Sequence, residues 1–148
     1  MGTRSLTRVI PRQDGLSFSE GHKKVNLAYV NMYRQYDGYP DGHGLDLAEF
    51  LKDIKIVNGL GRDTTNQANG SGCLAAQMVK HFKEGVGNIY LHPHDEEGGW
   101  EDYIYTVYPK TGENTFISIY SRYSEKCIFV GTSSELIKKY KTNTNKKG

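Results

Sequence analysis

The residue pattern predicts an α+β fold: a mostly antiparallel sheet with two central helices packed on it and a short C-terminal helix. Three observations carry this expectation. Two stretches near the middle repeat apolar residues at helical spacing, and the four segments after them alternate with a period of two. Helices and strands are also segregated along the chain rather than interleaved, which favours α+β over a parallel α/β sheet.

Each element has its own reason. Residues 3–10 are β-prone and stop at Pro11, as a first strand does. Residues 12–24 carry Asp14-Gly15 and Gly21 and read as a loop or small hairpin. Residues 25–36 read as a long strand, with Val25, Leu27 and Tyr29 on one face and Ala28, Val30 and Met32 on the other, so covered on both sides. The stretch 37–44, DGYPDGHG, holds three glycines and a proline and breaks the pattern. A helix follows over 45–54, where Leu47, Phe50, Leu51 and Ile54 share a face.

Residues 58–72, NGLGRDTTNQANGSG, form a long polar loop of the kind that is usually functional or mobile. A second helix over 73–83 carries the stripe Leu74, Ala75, Met78, Val79 and Phe82 and ends at Gly85 and Gly87. Strands are expected at 88–92, 102–108, 115–121 and 126–131, the middle two joined by a turn at Pro109-Lys110-Thr111-Gly112. Ser133 reads as the N-cap of a helix over 134–140. The expected organisation is one domain, 1–140, followed by a disordered basic tail, 141–148. Its core should include Leu47, Leu51, Leu74, Met78 and Phe82.

Nineteen basic and 17 acidic side chains leave a net charge of +2, so the overall field makes no case for nucleic acid. Local basic runs at Arg4, Arg8 and Arg12 and in the lysine tail keep a phosphate-backbone contact open beside the plainer reading of solvated faces. Two cysteines do not make a secreted disulfide framework, and neither a leader nor a long apolar run is visible. A cytoplasmic protein is expected, with no membrane partner.

The segments MGTRSLT, MYRQYDGYPDGHG with LAEFL, VNGLG with NGSGCLAAQMVKHFK, and IYLHP resemble a family of small phage and bacterial proteins of no assigned function. The resemblance covers roughly residues 1–110, and 12–24 look like an insertion relative to its shorter members. It implies a small accessory protein, phage-borne in some cases, and carries over no catalytic residue.

Chemistry concentrates in the two glycine-rich loops, each of which runs into a helix. Free N–H groups and the helix dipole suit an anion there, with Arg34 before the first loop and Arg62 in the second. The candidate ligand-binding set is Arg34, Tyr36, Asp37, Tyr39, His43, Arg62, Asn69 and Ser71, gathered in one pocket between the loops. A calcium loop on Asp37 and Asp41 lacks the bidentate Glu at its last position. Cys73 at a helix start, with His43 or His81, is the material of a hydrolase or transferase site. His92 and His94, two apart on a strand, have the spacing to share a zinc ion.

Tyrosines 29, 33, 36 and 39 beside Arg34 have the make-up of a base-stacking surface or of a covered sheet edge. The expected function is non-enzymatic binding of a small anionic or nucleotide-type ligand, with no cofactor and no metal. For a phage protein that reading extends to counter-defence, by sequestering a host signalling nucleotide. A Cys/His enzyme and a nucleic-acid or host-protein binding module are the alternatives.

Overall fold

The computed structural model describes residues 2–147, with side chains described as far as 141. A six-stranded sheet in the order β5-β2-β1-β6-β7-β8 forms the centre, and a two-stranded sheet, β3-β4, lies beside it. The elements run β1 (Ser5–Val9), β2 (Asn31–Arg34), α1 (Leu45–Leu51), β3 (Lys55–Val57), β4 (Gln67–Asn69) and α2 (Gly70–Phe82). They continue with β5 (Ile89–Leu91), β6 (Tyr103–Tyr108), β7 (Phe116–Ser121), β8 (Lys126–Thr132) and α3 (Ser133–Lys147). All pairings in the large sheet are antiparallel except β1 with β6, so the fold is α+β with a mostly antiparallel mixed sheet.

Strand alternation sends β1 side chains to two different environments. Val9 joins the main core with Met32, Tyr105, Val107, Ile117 and Ile119, which the three helices cover through Leu47, Leu51, Leu74, Met78 and Leu136. Ile10 lies on the opposite face, in a smaller cluster with Ala28 and Tyr108 under Phe18 and Leu16. Short 3-10 turns at Phe18–Lys23 and Val25–Leu27 supply that second cover.

Several boundaries differ from expectation. The long strand over 25–36 is a 3-10 turn followed by only four strand residues: the Ala28 N–H bonds back to the Val25 carbonyl, so two-sided apolarity there marks a packed turn. The helix expected over 45–54 ends at Leu51, the polar loop 58–72 contains β4, and Lys55–Val57, to which the sequence pattern assigns no element, is its parallel partner. Helix α2 starts at Gly70, taking the glycines of the second loop into its first turn. At α3 the cap is Thr132 and not Ser133: the Thr132 N–H and hydroxyl both donate to Glu135 Oε1, and the Glu135 N–H returns to Thr132 Oγ1. Phe82, expected in the core, is half-buried at its rim. Helix α3, expected to end at 140, runs on to Lys147 through the backbone of the expected tail, whose side chains from 142 lie outside the described residues.

Candidate functional site

The first glycine loop is built for its own packing. A Cβ on Gly38 would lie 2.8 Å from the Thr3 carbonyl oxygen and from Ser5 Cβ, and one on Gly42 would lie 2.7 Å from the Asp37 carbonyl oxygen. These glycines therefore let the chain approach itself. Asp37 takes positive φ, Tyr39 donates its hydroxyl to Asp37, and Tyr36 and Tyr39 stand exposed. A π-helical turn over Pro40–Gly44 leads straight into α1.

His43 is inside the protein. Its Nδ1 lies 2.9 Å from Arg34 Nη1 and its Nε2 2.8 Å from Thr7 Oγ1. A guanidinium only donates, so Nδ1 is the acceptor and the proton sits on Nε2, given to Thr7. Burial, reinforced by the adjacent Arg34 charge, pushes the imidazole pKa down to about 3. His43 is a neutral structural residue, which corrects its reading as a ligand donor.

Arg34 is similarly committed: Nε donates to the Tyr36 carbonyl at 2.7 Å, and Nη1 also faces Asp46 at 3.6 Å. The cleft of about 470 Å³ that it lines is rimmed by Asp46, Glu49 and Glu84, a poor setting for an anion.

The second loop lies elsewhere. Helix α2 presents Phe82 to His43 at its C-terminal end, with ring centroids 5.0 Å apart. At its N-terminal end, Gly72 faces the ring of Tyr29, 3.4 Å from where a Cβ would stand. Gly72 and Phe82 are ten helical residues, or about 15 Å, apart. The structure thus separates His43 and the loop around it, with Arg34, Tyr36, Asp37 and Tyr39, from Asn69 and Ser71 at the start of α2. Among the described residues the two loops do not meet in a single pocket.

What remains is the start of α2. Strands β3 and β4 run parallel, and α2 springs from the end of β4 through Gly70 at φ +84. Asn69 makes no side-chain cap to the helix, because its Oδ1 accepts the Gly59 N–H at 2.8 Å. No acidic residue occupies the first turn, and a Cβ at Gly59, Gly61 or Gly70 would meet nothing within 4 Å. The first-turn N–H groups are therefore left to solvent, at the positive end of a 13-residue helix. Ser71 is part-exposed at this opening, and Arg62, in the loop between β3 and β4, is exposed. Tyr29, 58% exposed, adds an aromatic face that spacing alone did not assign to this loop.

The other helix starts differ. Glu135 already answers the α3 terminus, and α1 continues from the π-helical turn. A groove of about 820 Å³ between β3, residues 112–116 and the start of α3 contains none of the expected site residues. Its Arg12 is spent on Glu113 and on the Tyr108 and Asn114 carbonyls.

The remaining candidates are not assembled. Cys73 is exposed, its thiol donates to Gln77, and His43 lies buried at the other end of α2. His81 stacks on Phe50. His92 stacks on Tyr33 and faces Glu96, while His94 Nδ1 donates to the Ala28 carbonyl, so the two rings have different partners. Among the described residues no group of three His, Cys, Asp or Glu side chains is placed to hold a metal, and no helix is long and apolar enough to cross a membrane. Arg8, expected to meet phosphate backbones, is fully buried. Compared with protein families, curated proteins and solved structures, the chain matches none of them.

Proposed function

We propose that this is a non-enzymatic cytoplasmic binding protein whose small anionic, nucleotide-type ligand seats its phosphate on the open start of α2. The observation that carries the reading is that this helix end is left uncapped, without an acidic residue, at glycines with open space above them. Ser71 would add a hydroxyl donor. Arg62, three residues from the anchored Gly59 and so within about 10 Å of chain, would add a charge-assisted contact. Tyr29 beside Gly72 would face a base. For a phage-borne protein, as the sequence resemblance implies, such a site would sequester a host signalling nucleotide.

Thermal denaturation with a nucleoside monophosphate and with inorganic phosphate tests this. Only the folded state offers the site, so the melting temperature should rise with ligand concentration. Ser71→Asp places a carboxylate in the first turn; it should stabilise the free protein by about 0.3–1 kcal/mol and abolish the ligand response. An undiminished response in Ser71→Asp contradicts the reading.

A further inference from the structure

On the sheet face opposite the helices, Arg8 is fully buried, and among the described residues no carboxylate lies within ion-pair distance of it. Its guanidinium instead donates to three main-chain carbonyls: His22 at 3.3 Å, Glu96 at 2.9 Å and Glu97 at 3.1 Å. Its Nε has no partner. Asn31, its register partner across the β1–β2 ladder, is also fully buried; Nδ2 donates to the Pro93 and Glu96 carbonyls and Oδ1 has no partner. The nearest buried acid, Glu101, turns Oε1 to the Gly99 N–H and stands 4.0 Å from Arg122. Glu101 and Glu97 favour the Arg8 charge through space only, and the groups that touch the guanidinium are main-chain oxygens.

The segment supplying two of those three carbonyls has little else to hold it. Every residue from Pro93 to Trp100 is exposed, Trp100 to 81%, so no apolar side chain anchors it. Its ties are the Arg8 and Asn31 bonds, the His94–Ala28 bond, the His92–Glu96 pair at its root, the Gly99 N–H to Glu101 Oε1, and the close approach of Gly98 to Leu6 and Glu101 at its far end. Gly98, at φ +80, turns the chain back toward Glu101. A segment whose side chains are all exposed, held mainly by polar bonds, belongs to the low-stability end of a fold.

We propose that residues 93–100 are a strap over an oxyanion site, in which Arg8 and the Asn31 amide receive a phosphate-type group when the strap lifts. The strap's carbonyls occupy, in the closed state, the positions that the anion's oxygens take in the open one. The site is separate from the start of α2, on the sheet face opposite the helices.

Trp100 is the sole tryptophan, so its fluorescence reports the strap directly. In the full-length protein, amides of 94–100 should exchange at least about 100-fold faster than those of β1 and β6, which open only with the whole fold. Inorganic phosphate at constant ionic strength should shift Trp100 emission saturably and speed that exchange further, while chloride does not; acetate shows whether a carboxylate suffices. Asn31→Asp gives Arg8 a fixed partner and should abolish the phosphate response, as should Arg8→Gln, whereas Ser71→Asp should leave it intact. Exchange of 94–100 at the rate of the core strands, an equal response to chloride, or a response that survives Asn31→Asp would each overturn the proposal.

Discussion

Lowering the pH should unfold this protein through His43. The imidazole is neutral in the fold, with Arg34 donating to Nδ1 and no room for a second ring proton, and its pKa falls to about 3 from 6.5. In the unfolded chain it returns to about 6.5. Between those values the unfolded state binds a proton that the native state refuses, so stability rises with pH across the window and is lost as pH falls. The stabilisation is fully present above about pH 6.5 and declines by about 1.4 kcal/mol per unit below it. At pH 4.5 the loss is about 3 kcal/mol, and it approaches 5 kcal/mol near pH 3, against a total of about 5–15 kcal/mol for an ordinary domain. His22, also lowered chiefly by burial, adds in the same direction. Urea melts between pH 7 and pH 4.5 on the native protein and on His43→Gln separate the two. Glutamine keeps an acceptor for Arg34 and a donor for Thr7 but does not titrate. The variant should be less stable at pH 7, through lost ring contacts with Tyr105 and Phe82, and should lose less on acidification. Parallel pH profiles for the two proteins would refute the reasoning.

Other expectations follow from packing. Gly38→Ala should destabilise by about 1–3 kcal/mol through overpacking against the Thr3 carbonyl and Ser5, whereas Gly61→Ala, in open space, should be neutral or slightly stabilising in the same melts. Leu51→Ala and Leu74→Ala should each cost about 2–5 kcal/mol in denaturant midpoints, as core truncations do. Thr132→Ala should cost about 1 kcal/mol by removing the α3 cap, with Ser133→Ala doing less as far as capping is concerned.

The sheet's later strands were legible because Tyr103–Tyr108 and Phe116–Ser121 are rich in aromatic and β-branched residues, although both their faces are buried, and α2 because its stripe is regular. The parallel β1–β6 pair and the β3–β4 ladder were not, since parallel partners are distant in sequence and three-residue strands leave no period. At the site, composition drew attention to both glycine loops without distinguishing their purposes. Gly38 and Gly42 admit neighbouring backbone, while Gly59 and Gly70 provide positive φ at an open surface, a difference that lies in contacts rather than residue type. His43 followed the same course: a histidine at a helix start resembles a ligand donor until Thr7 and Arg34, from two strands, close on both nitrogens. Tyr29 came to the site from the approach to β2, which no local motif could signal.

The claim that a phosphate-bearing ligand seats at the start of α2 is tested most directly by amide chemical shifts. In a titration of the uniformly ¹⁵N-labelled protein with a nucleoside monophosphate, the account predicts saturable shifts centred on Gly70, Ser71, Gly72 and Cys73, with Tyr29 responding alongside them. The same titration should leave the amides around Arg34 and His43 unmoved, because about 15 Å of helix separates the two ends. Shifts centred on the Arg34–His43 loop, or none at Gly70–Cys73 at millimolar ligand, would contradict it.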